Sequence, residues 1–222
     1  FPYTTLFRSE MAAGWVIEGL METLFADNDS SRAVLKDYVF VMVPMVNPDG
    51  VFHGGYRYNM NAVDLNRNWN DVAKNDWDRE LPEPEVSSVK RFFGNWMAET
   101  GRMDFFFDCH CLTALSGGLL MISEGGDNVP AEIDAEQEKF TDLFSKRWKF
   151  RRSKGNGMSG SAGNWVAGSY AREFGVKTFT PEHCIGRISR ADGEPMKAKP
   201  ALWREIGADY IWVLREYFEG QK

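Results

Sequence analysis

The sequence predicts an α/β domain whose mostly parallel, mixed central sheet is flanked by helices on both faces. Three observations carry that expectation. Short apolar runs of strand length, bounded by turn residues, alternate along the chain with longer stretches whose apolar residues recur at helical spacing. The runs deliver polar loops at their carboxyl ends, the edge at which open α/β sheets bind ligands. The 222 residues are 43% hydrophobic with a mean hydropathy of −0.41, a size and balance suited to one domain with a sizeable core.

Taken in order, Trp15, Val16, Leu20, Leu24 and Phe25 recur at helical spacing and predict a helix over 12–25. A turn over 27–31 follows. The continuous apolar run Tyr38-Val39-Phe40-Val41-Met42-Val43-Pro44-Met45-Val46 then predicts a buried strand that ends in a Pro-Gly turn. Residues 51–85 have little periodicity and many Gly, Asn and Asp, so they read as one long functional loop. Pro84 suits the first turn of a helix reaching Thr100. Residues 103–108 and 119–123 read as buried strands, and 131–148 as a helix carrying Ile133, Phe140, Leu143, Phe144 and Trp148. The basic run Lys146, Arg147, Lys149, Arg151, Arg152 and Lys154 reads as a solvated helix end, and the Gly/Ser stretch 155–163 as a loop. Asn164 is placed to cap a helix reaching Phe174, which Gly175 stops. A strand over 176–180 and a closing helix over 199–218 complete the pattern, with no internal repeat.

Charge and composition narrow the function. A formal charge of −6 and a pI near 5.2 argue against a nucleic-acid surface, which would show a basic stripe. No apolar run approaches the roughly 20 residues of a membrane span. The three cysteines, Cys109, Cys111 and Cys184, are too few for a disulfide scaffold and lack Cys-x-x-Cys spacing. Residues 1–9, Phe-Pro-Tyr-Thr-Thr-Leu-Phe-Arg-Ser, read as the translation of a common sequencing-adapter oligonucleotide. They are set apart as a scar on a gene fragment truncated at its amino terminus, with 10–222 as the domain proper.

Most of the chemistry lies in Asn47-Pro48-Asp49-Gly50, in Arg57, and in Asp64-Leu65-Asn66-Arg67-Asn68-Trp69. Arginine forks and side-chain amides at the end of a strand suit a carboxylate; a polar loop held by its own turn hydrogen bonds is the plainer alternative. Two further strand ends carry chemistry, Asp108-Cys109-His110 and Lys177-Thr178-Phe179-Thr180-Pro181-Glu182.

In this order the motifs resemble the zinc carboxypeptidases: carboxypeptidases A and B, and more closely their cytosolic-carboxypeptidase-like and bacterial relatives. The resemblance covers the chain from Glu10 onward. It implies a zinc ion held by Glu10, by His110 and by a histidine expected where Phe7 stands. The register rests on Trp15, five positions after Glu10 as in the family's His-x-x-Glu region. It further implies Glu182 as general base, Arg57 as the group that polarises the scissile carbonyl, and Asn66 with Arg67 as the clamp on the substrate's terminal carboxylate. Asp64 stands where the family orients the missing histidine. The 156–163 stretch has no tyrosine where carboxypeptidase A-like enzymes carry a capping one, and Tyr170 falls inside the expected helix.

The function so implied is removal of a carboxy-terminal residue from a peptide or protein by zinc-assisted hydrolysis. An N-acyl amino acid deacylase of the succinylglutamate desuccinylase/aspartoacylase type shares the Asp-x-Asn-Arg motif. An inactive peptide-binding relative would keep the clamp without the metal.

Overall fold

The structure, a computed structural model, describes residues 11–55, 58–67, 69, 83–112, 119–124, 129–155, 170 and 174–220, with the backbone alone at Met11, Arg67, Leu112, Glu124 and Lys154. Its helices are α1 (Met11–Leu24), α2 (Asp29–Asp37), α3 (Pro48–His53), α4 (Pro84–Thr100), α5 (Ala131–Ser145) and α6 (Pro200–Glu219). Its strands are β1 (Phe105–Phe107), β2 (His110–Leu112), β3 (Leu119–Glu124), β4 (Phe150–Gly155), β5 (Lys177–Cys184), β6 (Arg187–Ile188) and β7 (Met196–Lys197).

The central sheet runs β1-β5-β3-β4, with β2 continuing along the same flank of β5 as β1. β1 and β2 are parallel to β5, β4 is parallel to β3, and β3 is antiparallel to β5, so the sheet is mixed, as expected. Helices α1, α5 and α6 cover one face. There Phe105, Phe107, Phe140, Phe179 and Tyr210 pack ring against ring at centroid distances of 5.0 to 6.5 Å. Burying each such side chain stabilises the fold by roughly 1.5–3 kcal/mol, so this layer anchors the sheet. On the opposite face α4 lays Val86, Val89 and Phe93 against Phe106, Trp69 and Tyr170.

Pro84 and Pro200 open α4 and α6 where a missing N–H costs nothing. Gly101 closes α4 in a left-handed conformation, φ 63°, that a side chain would strain. Where α1 crosses α6 there is no room for side chains. A Cβ on Gly207 would fall 2.0 Å from Val16 O, and one on Gly19 would fall 2.2 Å from Arg204 O. Arg204 then binds across the crossing, to Glu18 at 2.6 Å and over the Trp15 ring at 4.5 Å.

Several expectations need correction. The turn over 27–31 instead leads into α2, whose Asn28 and Ser31 form a reciprocal capping box. The basic run starts at the end of α5, with Lys146 as its C-cap, but its later members Arg151, Arg152 and Lys154 belong to the strand β4, last in the order of the described sheet, where charge discourages pairing with another sheet. β5 reaches Cys184, so Glu182 sits inside a strand and not beyond its end. The strand expected over 103–108 is β1, Phe105–Phe107, and a second short strand, β2, follows it from His110; between them the Asp108 N–H donates to Phe179 O at 2.9 Å. The long 51–85 loop contains the end of α3 and a 3-10 turn, Leu65–Arg67. The helix expected after Asn164 lies outside the described residues except at Tyr170 and Phe174.

The largest departure is the apolar run 38–46. It is extended, and its side chains alternate as a strand's would: Val41 and Val43 pack toward α4, while Tyr38, Phe40 and Met42 pack toward Leu24, Val34 and Ile211. Among the described residues, however, 39–46 make no backbone hydrogen bond. A cavity of about 540 Å³ lies beside the run, lined by residues 38–43 on one side and 103–107 on the other. Side-chain pattern set the burial; a ladder needs a strand alongside, and none of the described strands pairs with this run.

Candidate active site

Asn47 begins the local construction. Its side chain accepts from Gly50 N at 2.9 Å to cap α3, while its Nδ2 donates to Tyr58 O at 3.1 Å. A Cβ on Gly50 would fall 2.2 Å from the Asn47 amide, so the Asn-Pro-Asp-Gly turn requires glycine there. Buried Asn47 is thus a cap that ties two loop strands together, and its amide is spent on structure rather than on a ligand carboxylate.

The segment beyond it folds back through a bridge between Tyr58 and Asp64. Asn59 closes this loop, accepting from the N–H groups of Asn61 and Val63 and donating to Glu83 at 2.6 Å. That contact joins the loop to the start of α4. Asp64 Oδ1 accepts from Asn66 N at 3.1 Å, the turn-forming arrangement that competes with its expected role of orienting a histidine. The 3-10 turn that follows buries Leu65 and Asn66 and leads to Trp69, itself buried beneath Lys90 at 5.9 Å.

This geometry brings Asn66 to His110, with Asn66 Nδ2 and His110 Nε2 3.1 Å apart. The same ring nitrogen lies 2.8 Å from Asp108 Oδ2, with both side chains almost wholly buried. A carboxylate at that distance holds the ring proton on Nε2, which makes Nδ1 the lone-pair nitrogen. The Asn66 amide satisfies the same N–H when its oxygen faces the ring. Asp108 Oδ1 is buried with no hydrogen-bond partner among the described residues, so the carboxylate's one tie is to the histidine.

His110 stands in direct parallel register with Glu182, and residues so paired share a face of the sheet. That face is opposite the one where Phe179 meets Tyr210. Half-buried Glu182 and buried His110 are therefore neighbours on the side where the Asn66 loop arrives. From the other side of the sheet, His183 Nδ1 donates to His110 O at 2.9 Å, and Tyr210 OH lies 3.4 Å from His183 Nε2. Burial, and then the nearby Cys109, push the Tyr210 phenol well above its ordinary value, so it stays a neutral donor.

Of the expected site residues, His110, Asn66, Asp64 and Glu182 are thus described and gathered within one region. Glu10, Arg57 and Phe7 lie outside the described residues, as does the Arg67 side chain. Asp108 and His183 were missed as supports of His110. The signal for Asp108 was present, since a residue two before a histidine on an extended chain points the same way. Tyr170 is a core residue, stacked on Phe106 at 4.8 Å.

Among the described residues no three His, Cys, Asp or Glu side chains cluster to hold a metal. His110 nevertheless fits a zinc ion: it is an imidazole whose far nitrogen is fixed by a buried carboxylate, the carboxylate–histidine arrangement that orients zinc ligands.

Residues 8–129, more than half of the chain, match the zinc carboxypeptidase family. The chain belongs to the zinc carboxypeptidase family. Members of this family are zinc-dependent hydrolases. Cytosolic carboxypeptidase 2 of Xenopus tropicalis is 30% identical over 191 residues, which cover 77% of this chain and 18% of that protein. Cytosolic carboxypeptidase 1 of Homo sapiens is 42% identical over 60 residues, 27% of this chain and 5% of that one. The chain therefore spans a small part of these curated relatives. Among solved structures, a metallo-carboxypeptidase from Burkholderia cenocepacia matches with a TM-score of 0.74 at 23% identity, over 97% of this chain and 55% of that chain. One from Pseudomonas aeruginosa, in complex with (2-guanidinoethylmercapto)succinic acid, has the same TM-score of 0.74 and identity of 23%, with 97% of this chain and 56% of that chain covered. At this identity the two show that the fold is shared with zinc carboxypeptidases.

Proposed function

We propose that this domain hydrolyses the carboxy-terminal peptide bond of a peptide or protein, with Glu182 as general base and His110 and Glu10 as zinc ligands. The observation that carries the reading is the register of His110 with Glu182, which sets an imidazole beside a carboxylate on one sheet face. Zinc, when bound, supplies Lewis-acid polarisation and acidifies water toward neutral pH. Glu182 takes the proton of the water that adds to the scissile carbonyl carbon, then delivers it to the amine as the C–N bond breaks. Asp108 keeps the His110 ring oriented throughout. Arg57 donates to the carbonyl oxygen as negative charge develops on it, and Asn66 with Arg67 holds the free carboxylate of the departing residue.

The third ligand of the reading is a histidine at position 7, so the test uses a Phe7→His variant, given a free-acid peptide and its carboxy-terminal amide, with Arg67→Ala alongside. Loss of one charge-assisted contact costs roughly 1.5–3 kcal/mol, or about one to two decades in kcat/KM. The expected result is strong preference for the free acid, collapsing in Arg67→Ala. Equal cleavage of the amide would remove the carboxylate clamp, and the exopeptidase reading with it. In the same background Glu182→Gln should lower kcat by about 10²–10⁴-fold at unchanged zinc content; a variant that turns over normally puts the base elsewhere.

A further inference from the structure

Two successive residues of β5 flank His110 from opposite faces of the sheet. Glu182 stands in register with it on the face where the Asn66 loop arrives. His183 turns to the other face and donates from Nδ1 to His110 O at 2.9 Å. A carbonyl only accepts, so the proton is on Nδ1, and in the neutral ring Nε2 is then the lone-pair nitrogen. Tyr210 of α6 aims its hydroxyl at that nitrogen from 3.4 Å, with the two rings edge to face at a centroid distance of 6.1 Å. The donors therefore run one way, from phenol to imidazole to the His110 carbonyl.

α6 is a firm anchor for this chain of bonds. Tyr210 is buried among Phe107 and Phe144, at centroid distances of 5.4 and 4.9 Å. Trp203, seven residues earlier and so on the same helical face, donates from Nε1 to Cys184 O at 3.2 Å. One helix thus holds residues 183 and 184 of β5, and through His183 it reaches residue 110 of β2. The register of β2 on β5 spans three residues. The extra tie falls on the first of them, whose ring meets Asp108 and Asn66.

Packing alone does not call for an imidazole there. His183 is 1% exposed, and a leucine would fill the space without burying two polar nitrogens, each of which costs free energy unless it is bonded. What the imidazole adds is a directed donor of fixed reach between two strands. Such a bond resists sliding of β2 along β5. A metal ligand and a general base have to keep their separation, since a misplacement of about 1 Å can cost about 10²-fold in rate.

We propose that His183 is a positioning residue, which fixes the main chain of His110 against Glu182 so that ligand and base keep one separation, with Tyr210 as its anchor on α6. The proposal rests on the roles given above to His110 and Glu182, and adds to them a device on the far face of the sheet. His183 acts through the His110 backbone and not on the substrate.

The test uses the full 222-residue chain and its His183→Leu, His183→Asn and Tyr210→Phe variants, with circular dichroism as the check on folding. Ring-nitrogen NMR of histidine-labelled protein reads the two imidazoles, and competition with a chelator reads zinc affinity. In the parent, His183 should carry its proton on Nδ1, and zinc should shift the His110 ring signals. His183→Leu, which fills the space without a donor, should weaken zinc binding about tenfold, the low end of what losing an outer support of a metal ligand costs, and should move the His110 ring signals. His183→Asn places an amide N–H where Nδ1–H stood and should recover most of that loss. Tyr210→Phe should shift the His183 Nε2 signal and cost less affinity than His183→Leu. A proton on Nε2 of His183 in the parent would overturn the proposal and leave the peptidase reading standing. So would a folded His183→Leu form with the parent's zinc affinity and unmoved His110 signals, or an Asn form as weak as the Leu form. If zinc leaves the His110 signals of the parent unmoved, His110 is not a ligand, and the peptidase reading falls together with the proposal.

Discussion

Among the described residues the Asp108 carboxylate is tied to His110, through one buried contact of 2.8 Å. If that contact sets the ring's tautomer, Asp108→Asn should weaken zinc binding in the Phe7→His background by about 10–100-fold, the usual effect of losing such a support. A competition titration against a chelator measures this, with circular dichroism as the check on folding. An unchanged affinity would mean that the ring is oriented by Asn66 and by its own strand. The buried carboxylate is tolerated because the ring N–H of His110 donates to it; an isolated buried carboxylate would be far more costly.

At the scale of elements, the crossing of α1 and α6 depends on two glycines. Gly207→Ala would drive a Cβ into the α1 backbone at Val16, and Gly19→Ala would do the same against Arg204. The obstacle in each case is main chain, which cannot rotate away. Overpacking of this kind typically costs about 1–3 kcal/mol or more, so a lowered Tm is expected for each variant, and thermal denaturation followed by circular dichroism would show it. On the same layer Glu136 of α5 binds Lys139 and the Tyr217 hydroxyl of α6. The Lys139 contact first, and then Tyr217, hold its carboxyl below the ordinary value. A depressed carboxyl adds stability above its unfolded pKa, and that stability disappears as pH falls through the folded pKa. Glu136→Gln should therefore be less stable than the parent at pH 7 in urea denaturation, with the gap closing below about pH 4, where the unfolded carboxyl too takes up its proton. A gap that widens in acid would contradict the sign.

At the scale of the whole molecule, the proposed metal site joins pieces far apart in sequence: Glu10 ahead of α1 and His110 on β2. Binding to the folded state alone stabilises by about 2.7 kcal/mol at a hundredfold excess over Kd. Zinc should accordingly raise the Tm of the Phe7→His variant in proportion to the logarithm of its concentration, and raise that of the chain carrying Phe7 much less. Equal shifts in differential scanning fluorimetry would place the metal elsewhere.

What the sequence determined by itself was whatever has a local cause. Pro84 marked the start of its helix, and the closing helix expected over 199–218 runs Pro200–Glu219, because helix boundaries are set by residues within about one turn. The motif order pointed to the family, since Asn47, Asp64, Asn66, His110 and Glu182 keep their residue types wherever the loops run. The tertiary structure alone decided what depends on neighbours distant in the chain. α2 is too short for periodicity to reveal, and the charged residues of β4 mask a strand that exists because β3 lies beside it. The run 38–46 has a strand's side-chain pattern and, among the described residues, no ladder, because alternation reports burial on two faces while hydrogen bonding requires a partner at its edge. The pairing of His110 with Glu182 across 72 residues follows from the parallel register of β2 on β5, and register is set by the packing of the whole sheet.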